Sequence, residues 1–305
     1  MSRTGKWLHA GLICLLAGLA LCLTVAGLNG FDWAGLGTVY HYTSRAYTIE
    51  KAFDSIQLET AEDLRLLPAE DGLCRVVVPE AEDAGIRAAV KVEDGVLVIA
   101  REDRRPWYRH VGVFLSEGES WVTAYLPEGL HALTVQGGSG NVTAEPGVGL
   151  DTLRITVTSG EVEIKAAVDK ELQVHTSSGG VKLWGLRCEE AITLHSTSGD
   201  LWGLDLACGN FTAESTSGEQ RYDTLRAEQL SLSSTSGDLR FERLTPGEAE
   251  IRTTSGEVRG TVTEPMDFRG SSNSGSLHLP EAARGGGEFR VSTTSGDVHI
   301  SLTGE

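Results

Sequence analysis

The sequence predicts an all-β chain: a single-stranded β-solenoid (β-helix) of about nine 19-residue coils, with an irregular β N-terminal cap and one transmembrane helix ahead of it. Three observations carry this. Ser-Gly pairs recur at 19 to 21-residue intervals from Ser139 to Ser295. Apolar residues alternate with polar ones around each pair. An uncharged run extends from Trp7 to Leu28.

The repeat comes first, because a fixed period decides the architecture before any motif does. After Ser139 the pairs are Ser159-Gly160, Ser178-Gly179, Ser198-Gly199, Ser217-Gly218, Ser236-Gly237, Ser255-Gly256, Ser274-Gly275 and Ser295-Gly296. Three residues after the serine stands an apolar residue, as in Val142, Val162, Val181, Leu201, Leu239, Val258, Leu277 and Val298, with Gln220 the exception. Five residues after it the position is often large and apolar (Ile164, Leu183, Tyr222, Phe241, Ile300), although Gly203 and Gly260 break the pattern. Alternation resumes late in each unit, as in Leu153-x-Ile155-x-Val157 and Leu230-x-Leu232. Period-two alternation is strand periodicity, so each unit holds two short strands and no helix. A unit this short cannot bury an apolar face alone, whereas copies stacked about 4.8 Å apart share one core and pair their backbones coil to coil. The Ser-Gly step is the corner: glycine reaches positive φ without penalty, and neighbouring hydroxyls satisfy backbone groups freed at the bend. The ladder of Ser-Gly corners is therefore structural.

The N-terminal run follows. Arg3 and Lys6 precede 22 uncharged residues, 7–28, whose helical length matches a hydrocarbon core of about 30 Å. Cations before it and acidic residues after it predict residues 1–6 in the cytoplasm and the body outside. The stretch exceeds the 7–15 residues of an ordinary signal-peptide core, which favours a retained anchor, while Thr24-Val25-Ala26 leaves cleavage open. Residues 29–45, with Phe31, Trp33, Tyr40 and Tyr42, read as a juxtamembrane linker. Residues 46–138 carry short alternating stretches and are expected to cap the solenoid of 139–305, because solenoids need atypical end units; a separate small β-domain is the alternative.

The combination resembles a known family. "TSGE" at 158–161 and "TSGD" at 197–200, 235–238 and 294–297 follow the lead-ins "FDSIQLETAEDLRLLPAEDG" (53–72) and "VEDGVLVIARED" (92–103). Period, lead-in and N-terminal apolar run together resemble the bacterial β-strand-repeat "putative adhesin" family of unknown function, over about residues 46–305. The resemblance implies an extracytoplasmic β-solenoid, with no agreed reaction and no catalytic residues to carry over.

Charge and chemistry narrow the function. Lys and Arg total 26 against 43 Asp and Glu, a net −17, which repels nucleic acid and anionic lipid. One stretch, "REDRRPWYRHVGVF" (101–114), runs against this trend and reads as a protruding loop. Its Arg101, Arg104, Arg105, Trp107, Tyr108 and Arg109 are the candidate contact surface, the alternative being that these arginines pair with acidic rows on the rod. The residue two after each repeat serine is often acidic: Glu161, Asp200, Glu219, Asp238, Glu257 and Asp297. Stacked carboxylates are relieved by solvent, arginines or a cation. The repeats lack the Gly-Gly-x-Gly-x-Asp pattern of calcium β-rolls, so a solvated acidic edge is expected and no metal or cofactor. His175 and His195, and His278 and His299, recur at equivalent slots without the carboxylate or thiolate support a zinc site needs. Cys188 and Cys208 fall at the same slot of consecutive units, within reach of a disulfide or as buried thiols. No base or orienter recurs beside the repeated serines, so no enzyme is expected. The expectation is a non-catalytic binding or scaffold protein of the cell envelope, its partner a wall polymer, a glycan or a membrane protein. The rival is an envelope-stress regulator acting through a membrane partner, and a third reading is self-assembly of rods.

Overall fold

The structure, a computed structural model, describes residues 15–24, 27, 39–59, 62–81, 85–103, 115–117, 121–283 and 286–303. The chain winds into an all-β solenoid of about eight turns. In its middle, the two short strands expected per unit merge into continuous 15-residue strands, Leu201–Ser215, Gln220–Ser234 and Leu239–Thr253, paired parallel and in register. Phe211 thus sits beside Leu230, and Leu230 beside Ala249.

Each long strand bends twice. Pairing skips one residue at Asp205, Thr224 and Arg243, and again at Gly209, Glu228 and Gly247, so a turn has three straight faces and three corners. At the first bend Gly185, Asp205, Thr224 and Arg243 hold left-handed φ of 63°, 54°, 57° and 52°. An L side chain there costs roughly 1–2 kcal/mol. Contacts between rungs offset it: Arg243 Nε donates to Thr224 Oγ1 at 2.9 Å, its guanidinium also meets Asp223, and Arg187 Nη2 donates to Asp205 Oδ2 at 2.6 Å. Three of the four corner residues are not glycine, which is why the repeat showed only one corner.

The Ser-Gly corner is built for a reason other than the expected one. Gly160 and Gly218 do have left-handed φ (128° and 114°), but Gly179, Gly199, Gly237 and Gly256 do not. What these positions share is contact: a Cβ on Gly199 would land on the Gly179 carbonyl, and one on Gly237 on that of Gly218. Glycine is required because each rung's backbone rides directly over the next. Just before four of these corners a buried hydroxyl accepts the glycine N–H, with Thr176 to Gly179 at 2.9 Å, Ser196 to Gly199 at 2.8 Å, Ser234 to Gly237 at 2.8 Å and Thr253 to Gly256 at 3.0 Å.

The three irregularities in the apolar pattern are also packing solutions. Gly203 and Gly260 stand in register beside the buried aromatics Tyr222 and Phe241; a Cβ at Gly203 would strike Leu206 and crowd Tyr222, and one at Gly260 would strike the Phe241 ring. The large rings fill the volume that the glycines vacate. Gln220 is buried and fully engaged: Nε2 donates to Ser215 Oγ at 2.9 Å and to the Ser233 carbonyl at 2.7 Å, and Tyr222 OH donates to Oε1 at 3.3 Å.

The rungs do not follow chain order at the ends. Glu288–Thr293 pairs with Leu239–Thr253 on one side and Asp267–Ser272 on the other, and Val298–Leu302 lies between Val258–Val262 and Leu277–His278. The last segment of chain is therefore inserted one rung inside, and the preceding unit forms the outer end. At the other end Ser55–Leu58 lies between Val96–Asp103 and Ala132–Gly137, and Leu64–Pro68 between Val122–Leu126 and Val142–Ala144. Beyond that outer turn, Ile86–Glu93 pairs antiparallel with Val96–Asp103, Arg75–Glu80 with Val122–Leu126, and Thr43–Thr48 with Arg75–Glu80. At the C-terminal end Leu277 and Leu279 fold over Gly270 and close the core. The solenoid has about eight turns where the repeat predicts about nine.

Of the apolar run 7–28, residues 15–24 are helical, and 7–14, 25, 26 and 28 lie outside the described residues. No helix among the described residues is long and apolar enough to cross a membrane. The exposed side chains of Leu15, Leu16, Leu19, Leu21 and Leu23 line this short helix.

Candidate binding surface

Of the residues expected to form a contact loop, Arg101 lies near the end of the strand Val96–Asp103. Its Nη1 donates to Glu62 Oε1 at 2.7 Å and Nη2 to Tyr42 OH at 2.6 Å, with the guanidinium 5.3 Å from the Tyr42 ring centre. It ties the N-terminal strands together. Arg104, Arg105, Trp107, Tyr108 and Arg109 lie outside the described residues.

The acidic row is held by the fold. Asp200 Oδ1 accepts the N–H of Glu219 at 2.8 Å and Asp238 Oδ1 that of Glu257 at 3.0 Å, while Asp297 accepts both N–H and Oγ–H of Ser276 at 2.7 Å. These last bonds hold the Asp297 carboxyl below its ordinary range. Basic residues two or more positions on supply countercharge: Lys182 reaches Glu161 at 2.7 Å, Arg240 contacts Glu219 and Asp238, and Arg259 lies at 2.5 Å from Glu257. Among the described residues no three His, Cys, Asp or Glu side chains converge as a metal site would need. His175 and His195 stack at 4.6 Å with rings 3° from parallel, and His278 and His299 lie 5.7 Å apart.

Cys188 and Cys208 are register partners on adjacent rungs and are free thiols. Burial pushes each up to about 12, and Cys74 to about 11, so none is a thiolate nucleophile at neutral pH.

What remains is outward surface organised in rows. On the face from 191–196 to 288–293 the outward side chains in the middle rungs include the uncharged polar Asn210, Thr212, Gln229 and Ser231, with Glu214 and Ser233 beside them. The first four line a shallow depression of about 380 Å³, bordered by Glu248, Glu250, Glu288 and Arg290. On the next face a second row runs Lys182, Trp202, Arg221, Arg240, Arg259, and Trp184 stands beside it. Trp184 and Trp202 are half-buried, with ring centres 4.2 Å apart at 60°. This row was legible: its members stand four residues after the repeat serine, the slot singled out only for His278 and His299.

A solenoid whose outer faces are registered rows of side chains over one continuous core is a repeat protein of the β-solenoid class. The Toastrack DUF4097 profile matches residues 53–202 and again 192–305, and the chain belongs to this family. Among solved structures it is similar to a putative adhesin from Parabacteroides merdae (15% identity, 87% of this chain and 99% of that one, TM-score 0.54). It is also similar to one from Parabacteroides distasonis (15% identity, 86% and 100%, TM-score 0.53) and one from Bacteroides fragilis (16% identity, 85% and 97%, TM-score 0.50). At these identities the likeness is one of fold. No curated protein matches the chain.

Proposed function

We propose that this protein is a membrane-anchored, extracytoplasmic rod that binds or scaffolds a repetitive polymer at the cell envelope without catalysing a reaction. The observation carrying this is the row-like surface. Hydroxyl and amide side chains repeat at the rung spacing of about 4.8 Å along a shallow depression, the geometry for many weak, equivalent hydrogen bonds to a polymer with its own repeat. The buried thiols and the hydrogen-bonded carboxylates of the acidic row supply no activated nucleophile or base. The names of the structural neighbours point the same way, and the apolar run 7–28 supplies the anchor.

Co-sedimentation of the rod with insoluble envelope polymers tests the reading. Retention that falls when Asn210, Gln229 and Ser231 are all replaced by alanine supports it. A rod that no wall or carbohydrate polymer retains would falsify it.

A further inference from the structure

The second face carries a feature that the polar depression does not explain. Trp184 and Trp202 lie on consecutive turns and lean on one another, and Trp184 is pinned by its Nε1–H, which donates to Glu163 Oε1 at 3.1 Å. Indole rings on a solenoid exterior serve no core, and their partial exposure leaves ring surface to solvent. In register with Trp202, one rung on, stands Arg221, whose side chain is exposed and makes no ion pair among the described residues, unlike Lys182, Arg240 and Arg259 in the same row. Asp200, two residues before Trp202 and outward like it, is exposed as well. An aromatic face thus lies between a five-donor guanidinium and a carboxylate acceptor.

That set matches one ligand chemistry. A sugar ring presents polarised C–H bonds on its face, which the negative face of an indole attracts, and hydroxyls at its edge, which need donors and acceptors together. We propose that Trp184, Trp202 and Arg221 form a subsite for a neutral, hydroxyl-rich glycan chain running along the rungs. Charge argues for a neutral chain: the protein carries net −17, and Asp200 and Glu219 border the subsite, so a polyanion meets repulsion where a polyol finds acceptors. The inference rests on the polymer-binding reading above and names the ligand class for a face of its own.

Calorimetry with the full chain tests it, using cellohexaose and chitohexaose as neutral probes and polygalacturonate as the anionic one. The expected result is binding of a neutral hexasaccharide with a shift in tryptophan emission, weakened about tenfold or more in Trp202→Ala and severalfold in Arg221→Ala. Arg221 is exposed and its replacement leaves the core intact, so that variant reports even if Trp202→Ala fails to fold. Unchanged affinity in folded Trp202→Ala and Arg221→Ala, preference for polygalacturonate, or no binding of either neutral probe overturns the subsite. The polymer reading is judged separately, by whether the rod is retained on insoluble wall material and whether the triple alanine variant is not.

Discussion

Gly296 stacks on Gly256, two Ser-Gly repeats earlier in the chain, and Gly275 stacks on the far side of Gly296. The backbone bonds agree: Ser295 N–H donates to the Thr254 carbonyl at 2.8 Å, and Ser274 N–H to the Thr294 carbonyl at 3.0 Å. The C-terminal segment is a wedge between two rungs, which makes it a support for the unit before it.

Deleting residues 288–305 should therefore unpair 267–278 as well. Amide hydrogen exchange is the measure: Asp267–Ser272 bonds only to Glu288–Thr293 in register, so its protection should vanish in the truncated chain. Retained protection there would mean that rungs stack in simple chain order.

The corner glycines are contact positions. Gly199→Ala or Gly237→Ala places a methyl on the backbone of the neighbouring rung and should cost about 1–3 kcal/mol, seen as a lower melting temperature. Gly138→Ala is the control, since a Cβ there meets nothing within 4 Å and φ is not left-handed. Equal melting of all three variants contradicts the stacking account.

Gln220 is an apolar slot filled by a polar network. Gln220→Leu strands Tyr222 OH and the Ser233 carbonyl and should destabilise by about 1–3 kcal/mol despite matching its neighbours Leu201 and Leu239. Adding Tyr222→Phe should recover part of this, so a denaturant-melt double-mutant cycle that shows additivity would dismiss the network.

Acid should release the outermost N-terminal strand. Burial alone would raise the Glu80 carboxyl, but hydrogen bonds from Tyr47 OH and the Ala88 N–H, with Arg45 alongside, outweigh it and hold the group below its usual value of 4.5. A depressed carboxyl stabilises the fold above that value, and the contribution disappears as pH falls through the folded-state value. Protection across Thr43–Thr48, taken relative to the intrinsic exchange rate at each pH, should thus fall below about pH 4.5 in the native chain and show a flatter pH response in Glu80→Gln.

Legibility in the sequence tracked locality. The Thr-Ser-Gly pentads revealed one corner because glycine recurs there. The corner at Asp205, Thr224 and Arg243 stayed hidden, since no residue type marks it and its φ values are sustained by bonds between rungs. The row through Trp202 and Arg221 was present in the period and passed over, and nothing local shows that Glu62 and Tyr42 will meet Arg101.

By itself the amino-acid sequence determined that the chain coils with a period near nineteen, which side of each strand faces the core, and that charge on the exterior is mainly acidic. All three follow from repetition and alternation, which neighbouring residues already encode. Only the tertiary structure decided the order of rungs at the two ends, the reason for glycine at the Ser-Gly corner and the pairing of Trp184 with Trp202. Each depends on which turn lies above which, and a repeat whose copies are nearly equivalent in pairing energy does not specify its own stacking order.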